Sequence, residues 1–97
     1  MQLIFNHEKL TANSDDGKWM GEIACPFVDK QAQKVVVERV FVVPDYRGQG
    51  LAAKLMQAFV DHARQENWQV EIMCPYAKKW FALHTEAHDV LYQRHHD

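Results

Sequence analysis

Apolar residues change their spacing along this chain, and the changes divide it into elements. Residues 34–43 are rich in Val and Phe and are followed directly by Pro44, so they predict a buried central strand that ends at the proline. Residues 51–65 repeat apolar side chains every third or fourth position, with charged and amide side chains between them, which predicts an amphipathic helix. Its predicted inward face consists of Leu51, Leu55, Met56, Phe59, Val60 and Ala63.

The segments before the central strand predict a hairpin. Residues 3–5 form a short strand candidate. The polar cluster at residues 13–17 predicts a turn that leads into a second strand at residues 19–25. We expect these two strands to pair with each other.

The segments after the helix predict a strand and a second helix. Residues 67–74 alternate apolar and polar side chains, and a strand that returns after a crossover helix runs parallel to its predecessor. Pro75 suits the first turn of a last helix. That helix is predicted to bury Ala77, Trp80, Phe81 and His84, to expose Lys78 and Lys79, and to fray into residues 94–97.

Taken together, the elements predict an α/β fold. It has a mixed sheet in which antiparallel N-terminal strands precede a parallel βαβ crossover, and it ends on a C-terminal helix. A length of 97 residues predicts one domain spanning residues 1–97.

Composition narrows the classes of function. The formal charge of −2 provides no basic field of the kind that binds nucleic acid or anionic membranes. The N-terminal residues lack the pattern of a signal peptide and no stretch is apolar enough to span a membrane, so we expect a cytoplasmic protein without nucleic-acid or membrane partners. Cys25 and Cys74 are predicted to be free thiols.

Residues 42–53 join the central strand to the helix through a turn that contains two glycines, Gly48 and Gly50. Glycine lacks a Cβ and lets the backbone pass close to a ligand. The first N–H groups of the following helix have no intrahelical acceptor and lie at the positive end of its dipole. The turn therefore predicts a site for a phosphate-bearing ligand, and the alternative is that the glycines only shape the turn.

Two phosphate-binding motifs do not fit this turn. A Walker loop ends in Gly-Lys-Ser/Thr, whereas Gly50 is followed by Leu51 and Ala52. Gly48, Gly50 and Ala53 do match the spacing of the dinucleotide fingerprint, and Glu71 lies at about the distance of its ribose-binding acid. A nicotinamide domain needs several βα units, however, and this chain supplies one crossover after an antiparallel start.

The pattern Arg47-x-x-Gly50-x-Ala52 resembles the acyl-CoA signature of the Gcn5-related N-acetyltransferase superfamily. With the following Cys74-Pro75-Tyr76 and an aromatic last helix, the chain is similar over nearly its whole length to the minimal branch of that superfamily. Residues 38–41 lack the His-Thr pair common in that branch, so no role of that histidine transfers.

The resemblance implies that acetyl-CoA is the co-substrate and that an amine, small molecule or protein, accepts the acetyl group. The implied cofactor-binding residues are Val42, Val43, Arg47, Gly48, Gln49, Gly50, Leu51, Ala52 and Ala53. The alternative function is a non-catalytic module that binds CoA or a protein partner, and a homodimer is compatible with either.

Cys74 and Tyr76 are the candidate catalytic residues. Cys74 precedes the proline that opens the last helix, so the positive end of that helix would favour its thiolate. It could accept the acetyl group, line the cleft during direct transfer, or be a small buried apolar residue. The resemblance implies that Tyr76 is a general acid toward the CoA thiolate, and the alternative is that it is a partly buried aromatic residue at the start of the helix. Glu38 and Glu71 are carboxylates on the flanking strands whose direction the sequence leaves open.

No metal site is predicted. His84 and His88 are one helical turn apart, but the sequence between them lacks the glutamate of a His-Glu-x-x-His motif. Lys78 and Lys79 could reach the phosphates of CoA, although paired lysines usually form the solvated face of a helix.

Overall fold

A computed structural model describes residues 1–92 of the chain, so the predicted fraying at residues 94–97 lies outside the described residues. The strands are β1 (Gln2–Asn6), β2 (Lys9–Asn13), β3 (Trp19–Ala24), β4 (Phe27–Asp29), β5 (Lys34–Val37), β6 (Arg39–Val42) and β7 (Gln69–Ile72). The helices are α1 (Leu51–Gln65) and α2 (Pro75–Leu83), with short 3-10 helices at Pro44–Tyr46 and Thr85–Val90.

The strands form two hydrogen-bonded sheets. One has the order β1-β2-β3-β6 and is antiparallel throughout, and the other has the order β4-β5-β7. In the second sheet β5 and β7 are parallel, with Val35 opposite Val70. The predicted α/β class and the parallel strand after the crossover helix are therefore confirmed.

The predicted continuous strand at residues 34–43 is wrong, because it breaks at Glu38 into β5 and β6. Pro26 lies between β3 and β4, opposite this break, and it has no N–H to donate to a ladder and favours a bend. Val36 N–H donates to Pro26 O at 3.0 Å, and Glu38 N–H donates to Ala24 O at 2.9 Å. The break lets β5 pair with β7 while β6 stays paired with β3.

The predicted N-terminal hairpin is also wrong. Residues 3–5 and 19–25 do not pair with each other, because β2 lies between them and pairs with both β1 and β3. The turn from β1 to β2 places His7 and Glu8 at φ +52° and +63°. Such a turn normally carries Asn or Gly, so its sequence signal was absent.

The hydrophobic core lies between the sheets and the two helices. All six residues of the predicted inward face of α1 are buried. In α2, Ala77, Trp80 and Phe81 are buried, and Lys78 and Lys79 are exposed as predicted. His84 follows the helix instead of lying on it, half-buried, with Nδ1 2.7 Å from Trp80 O. No helix within residues 1–92 has the length and apolar character needed to cross a membrane.

An ion pair ties α1 to the segment after α2, and it predicts a pH dependence of stability. Arg64 Nε lies 2.8 Å from an Asp89 carboxylate oxygen, and the guanidinium lowers the pKa of that carboxyl below its ordinary value of 3.8. A lowered pKa in the folded state stabilises the fold above the unfolded pKa, and the contribution is lost as the pH falls through the folded value. We expect Asp89→Asn to lower Tm at pH 7, and the difference from the native chain to shrink below about pH 4. Thermal unfolding followed by circular dichroism at several pH values measures this, and a constant difference down to the lowest pH would contradict it.

Candidate functional site

The turn between β6 and α1 has the backbone that its glycines predict. Gly48 and Gly50 have φ of +80° and +77°, in the left-handed region that glycine adopts without strain, and Gly50 is the N-cap of α1. Apart from its chain neighbours, a Cβ built at either position would meet no atom of residues 1–92 within 4 Å. The space beside both glycines is therefore open to a ligand.

The same turn leaves a row of backbone donors free. Within residues 1–92, no hydrogen bond is donated by any of the six amide groups of residues 48–53. The first helical bond of α1 runs from Lys54 N–H to Gly50 O at 3.1 Å, and no side chain in the described part of the chain caps the helix. Six donors at the positive end of a 15-residue helix form a cradle for an anion.

These donors border a cavity of about 270 Å³. Its lining residues are Val42, Tyr46, Arg47, Gly48, Gly50, Leu51, Ala52, Ala53 and Tyr76. Seven of the predicted cofactor-binding residues are thus brought together with Tyr76, whereas Val43 and Gln49 do not line the cavity. Tyr46 was missed, and its only signal was its position beside the glycine motif.

Arg47 supplies the cationic side chain of the cavity. Its Nε donates to Val42 O at 2.9 Å, and its guanidinium carbon lies 5.7 Å from the centre of the Phe41 ring. The two terminal nitrogens keep their donors available for phosphate oxygens, because the contact with the carbonyl uses Nε.

A gap opens between β6 and β7 next to this cavity. Val37 O accepts hydrogen bonds from Met73 N–H at 2.9 Å and Cys74 N–H at 3.1 Å, and beyond Val37 the chain leaves β7 to pair with β3. Val43 N–H donates to Met20 O, so the backbone groups of Val42, one residue earlier, face away from β3. The Val42 N–H therefore faces the gap, on the same edge as the Val42 carbonyl that accepts from Arg47 Nε.

Tyr76 and Cys74 lie at the start of α2, in different environments. Tyr76 is 38% exposed and lines the cavity, and partial burial raises the pKa of its phenol above the ordinary 10.0, with a smaller effect from Cys74 in the same direction. Its proton is therefore retained at neutral pH. Cys74 is 7% exposed and is not among the residues that line the cavity.

We expect the two cysteines to react with iodoacetamide at different rates, and this comparison tests whether Cys74 is a nucleophile. Burial raises the pKa of the Cys25 thiol to about 12, so iodoacetamide at pH 8 should leave Cys25 unmodified in the folded chain. If Cys74 meets the thioester, peptide mass spectrometry should find it alkylated faster than Cys25 and protected by acetyl-CoA. Equal, slow labelling of both residues with no protection would rule out the nucleophile.

The remaining polar candidates lie outside the cavity. Glu38 is exposed at the break between β5 and β6, and Glu71 forms an ion pair with Lys34 at 3.1 Å. His88 Nε2 lies 2.7 Å from Phe81 O, so it caps the end of α2 as His84 does. Within residues 1–92, no three His, Cys, Asp or Glu side chains are grouped so that they could hold a metal ion.

Comparison with known proteins identifies the family. Residues 11–90 match the family of GCN5-related N-acetyl-transferases. An uncharacterised N-acetyltransferase from Archaeoglobus fulgidus is 36% identical over 59 residues, covering 57% of this chain and 40% of that protein. The chain thus spans less than half the length of that relative.

Solved structures agree with the family match. The NMR structure of a GCN5-like protein from Staphylococcus aureus is 26% identical, covers 98% of this chain and 91% of its own, and has a TM-score of 0.74. A GNAT-family N-acetyltransferase from Escherichia coli, crystallised with CoA, is 29% identical, covers 81% of this chain and 43% of its own, and has a TM-score of 0.62. The family match and the shared fold confirm the resemblance seen in the turn, and this chain belongs to the GCN5-related N-acetyltransferase family.

Proposed function

We propose that this protein binds acetyl-CoA in the cavity beside the glycine turn and transfers the acetyl group to an amine. The observation that carries the proposal is the row of six free amide groups at residues 48–53, next to Arg47 and two glycines with positive φ. The E. coli relative bound to CoA supports the choice of cofactor.

The parts of CoA fit the chemistry of the site. The pyrophosphate is a dianion that would accept hydrogen bonds from the free amides and neutralise Arg47. The pantetheine arm carries amide groups, and one of their carbonyls would accept a hydrogen bond from the Val42 N–H along the gap, since the Val42 carbonyl already accepts from Arg47 Nε. The thioester would then lie where the gap closes, near Val37 and Met73.

The transfer needs few groups from the protein. A neutral amine attacks the thioester carbonyl carbon, so a C–N bond forms and the C–S bond breaks. Starting from an ammonium group, the nitrogen loses two protons. One goes to solvent, and the other balances the proton that Tyr76 gives to the departing sulfur and then regains. Tyr76 is protonated at neutral pH, so its phenol has a proton to give to the departing sulfur.

Two measurements on the same preparation test the proposal. Calorimetric titration with acetyl-CoA should give saturable 1:1 binding, and thiol release in the presence of a panel of amines should exceed release without an amine. Absence of binding would overturn the proposal entirely. Binding without amine-dependent thiol release would instead favour the non-catalytic module.

A further inference from the structure

A second and larger concavity of about 500 Å³ lies against β5 and β7. Residues that line it include Val28, Val36, Glu71, Met73, Lys78 and Tyr92. Val35 and Val37 belong to the core, and side chains alternate along a strand, so Val36 between them faces the opposite side of the sheet from α1. We call this concavity the outer groove.

The wall of the outer groove is apolar, and two of its large apolar side chains are exposed to solvent. Val28 is 51% exposed and Met73 is 61% exposed. Large apolar side chains on a concave surface favour an occupant with an apolar body.

The charges in the outer groove are unequal. Lys34 lies beside the groove and compensates the charge of Glu71, because its ammonium lies 3.1 Å from that carboxylate and 3.8 Å from the centre of the Tyr92 ring. Lys78 has no carboxylate within 4.0 Å among the residues that the structure describes. The groove therefore carries one uncompensated positive charge, which attracts a carboxylate and repels a polyamine.

The outer groove and the cofactor cavity both have lining residues at the start of α2. Met73 and Lys78 line the outer groove, whereas Tyr76, between them in the sequence, lines the cofactor cavity. Met73 N–H donates to Val37 O where the gap between β6 and β7 closes. A ligand whose charged end reached Lys78 would therefore lie beside the point where we place the thioester.

We infer that the outer groove binds the acceptor, and that the acceptor is an α-amino acid with an apolar side chain. This inference rests on the proposed function. The carboxylate pairs with Lys78, the side chain lies along Val36 and Val28, and the α-amino group, two bonds from the carboxylate carbon, points to the thioester. The amino nitrogen gains the acetyl group from sulfur, so the products are the N-acetyl amino acid, CoA thiol and one proton.

The experiment compares L-leucine with L-leucinamide, which differs from it by the loss of the carboxylate charge. Steady-state thiol release is expressed per concentration of neutral amine, because the carboxylate raises the α-amino pKa of leucine above that of leucinamide. On that basis it should give a kcat/KM for leucine roughly tenfold above that for leucinamide, as expected for one charge-assisted contact that is partly exposed. Lys78→Gln should abolish the preference by raising KM for leucine alone. Lys79→Gln is the control, because Lys79 is equally exposed on α2 but lines neither the cavity nor the outer groove.

Several outcomes would overturn the inference. They are equal use of leucine and leucinamide, better use of spermidine, or a preference that survives Lys78→Gln. Calorimetric titration of each variant with acetyl-CoA separates this failure from that of the proposed function, because acetyl-CoA binding without leucine turnover overturns only the acceptor. Titration with L-leucine alone covers the case in which acetyl-CoA does not bind. The titration extends to about 10 mM leucine, which is above the usual range of KM. If leucine binding does not saturate by that concentration, the outer groove is not a leucine site.

Discussion

Gly50→Ala should weaken acetyl-CoA binding roughly 10- to 100-fold, as measured by calorimetric titration. The added Cβ would project into the open space beside the free amides, where the pyrophosphate must approach. A hydrogen bond to a charged group contributes about 1.5–3 kcal/mol, so the loss of one such contact accounts for the predicted range.

Gly17→Ala is the matched control for this substitution. Gly17 has φ +88° and, like Gly50, has no atom within 4 Å of a built Cβ, but it lies in the turn before β3. Both variants place alanine in the left-handed region, at a cost of about 1–2 kcal/mol of stability, so their Tm values should fall together. Equal affinities for acetyl-CoA in the two variants would show that the glycine turn is only architecture.

Tyr76→Phe should lower kcat about 100-fold while leaving the dissociation constant for acetyl-CoA within about twofold, because general acids typically contribute a factor of 10² to 10⁴. Partial burial holds the pKa of the phenol above 10.0, so Tyr76 keeps its proton throughout the neutral range. The native protein should consequently show no loss of kcat from ionisation of this group in the neutral range of pH.

The comparison of kcat with binding separates catalysis from packing at Tyr76. Phenylalanine keeps the ring that lines the cavity and removes only the hydroxyl. A structural role would lower the affinity for acetyl-CoA and kcat together, and an unchanged kcat would remove Tyr76 from the reaction. In that case water would supply the proton to the departing sulfur.

The spacing of neighbouring residues was enough to predict the two helices, because each helix is defined by residues close together in the sequence. The inward face of α1 followed from its period of 3.6, and Pro75 marked the first residue of α2. The strand β2 was missed because only Leu10 and Ala12 alternate inward over five residues and the preceding turn lacks glycine. The break at Glu38 was missed because a run of valines predicts a strand equally well on either side of it.

The same division holds for the candidate site. The glycine turn was readable because its residues are consecutive and its backbone is set by positive φ at Gly48 and Gly50. The outer groove could not be predicted from the sequence, because the residues that line it lie on separate elements or connections. Examples are Val28, Val36, Met73 and Lys78. No spacing rule connects such residues.

The sequence by itself determined the α/β class, the strand–turn–helix cradle and the buried face of α1, since these depend on residues within a few turns of each other. The tertiary structure alone decided where the sheet divides. The division depends on the pairing of β6 with β3 and of β5 with β7, with Pro26 unable to donate between them. This division of the sheet opens the gap beside the cavity and places Lys78 at the outer groove. Hydrogen bonds between strands that are distant in the sequence, and not local propensity, determine which surfaces come together.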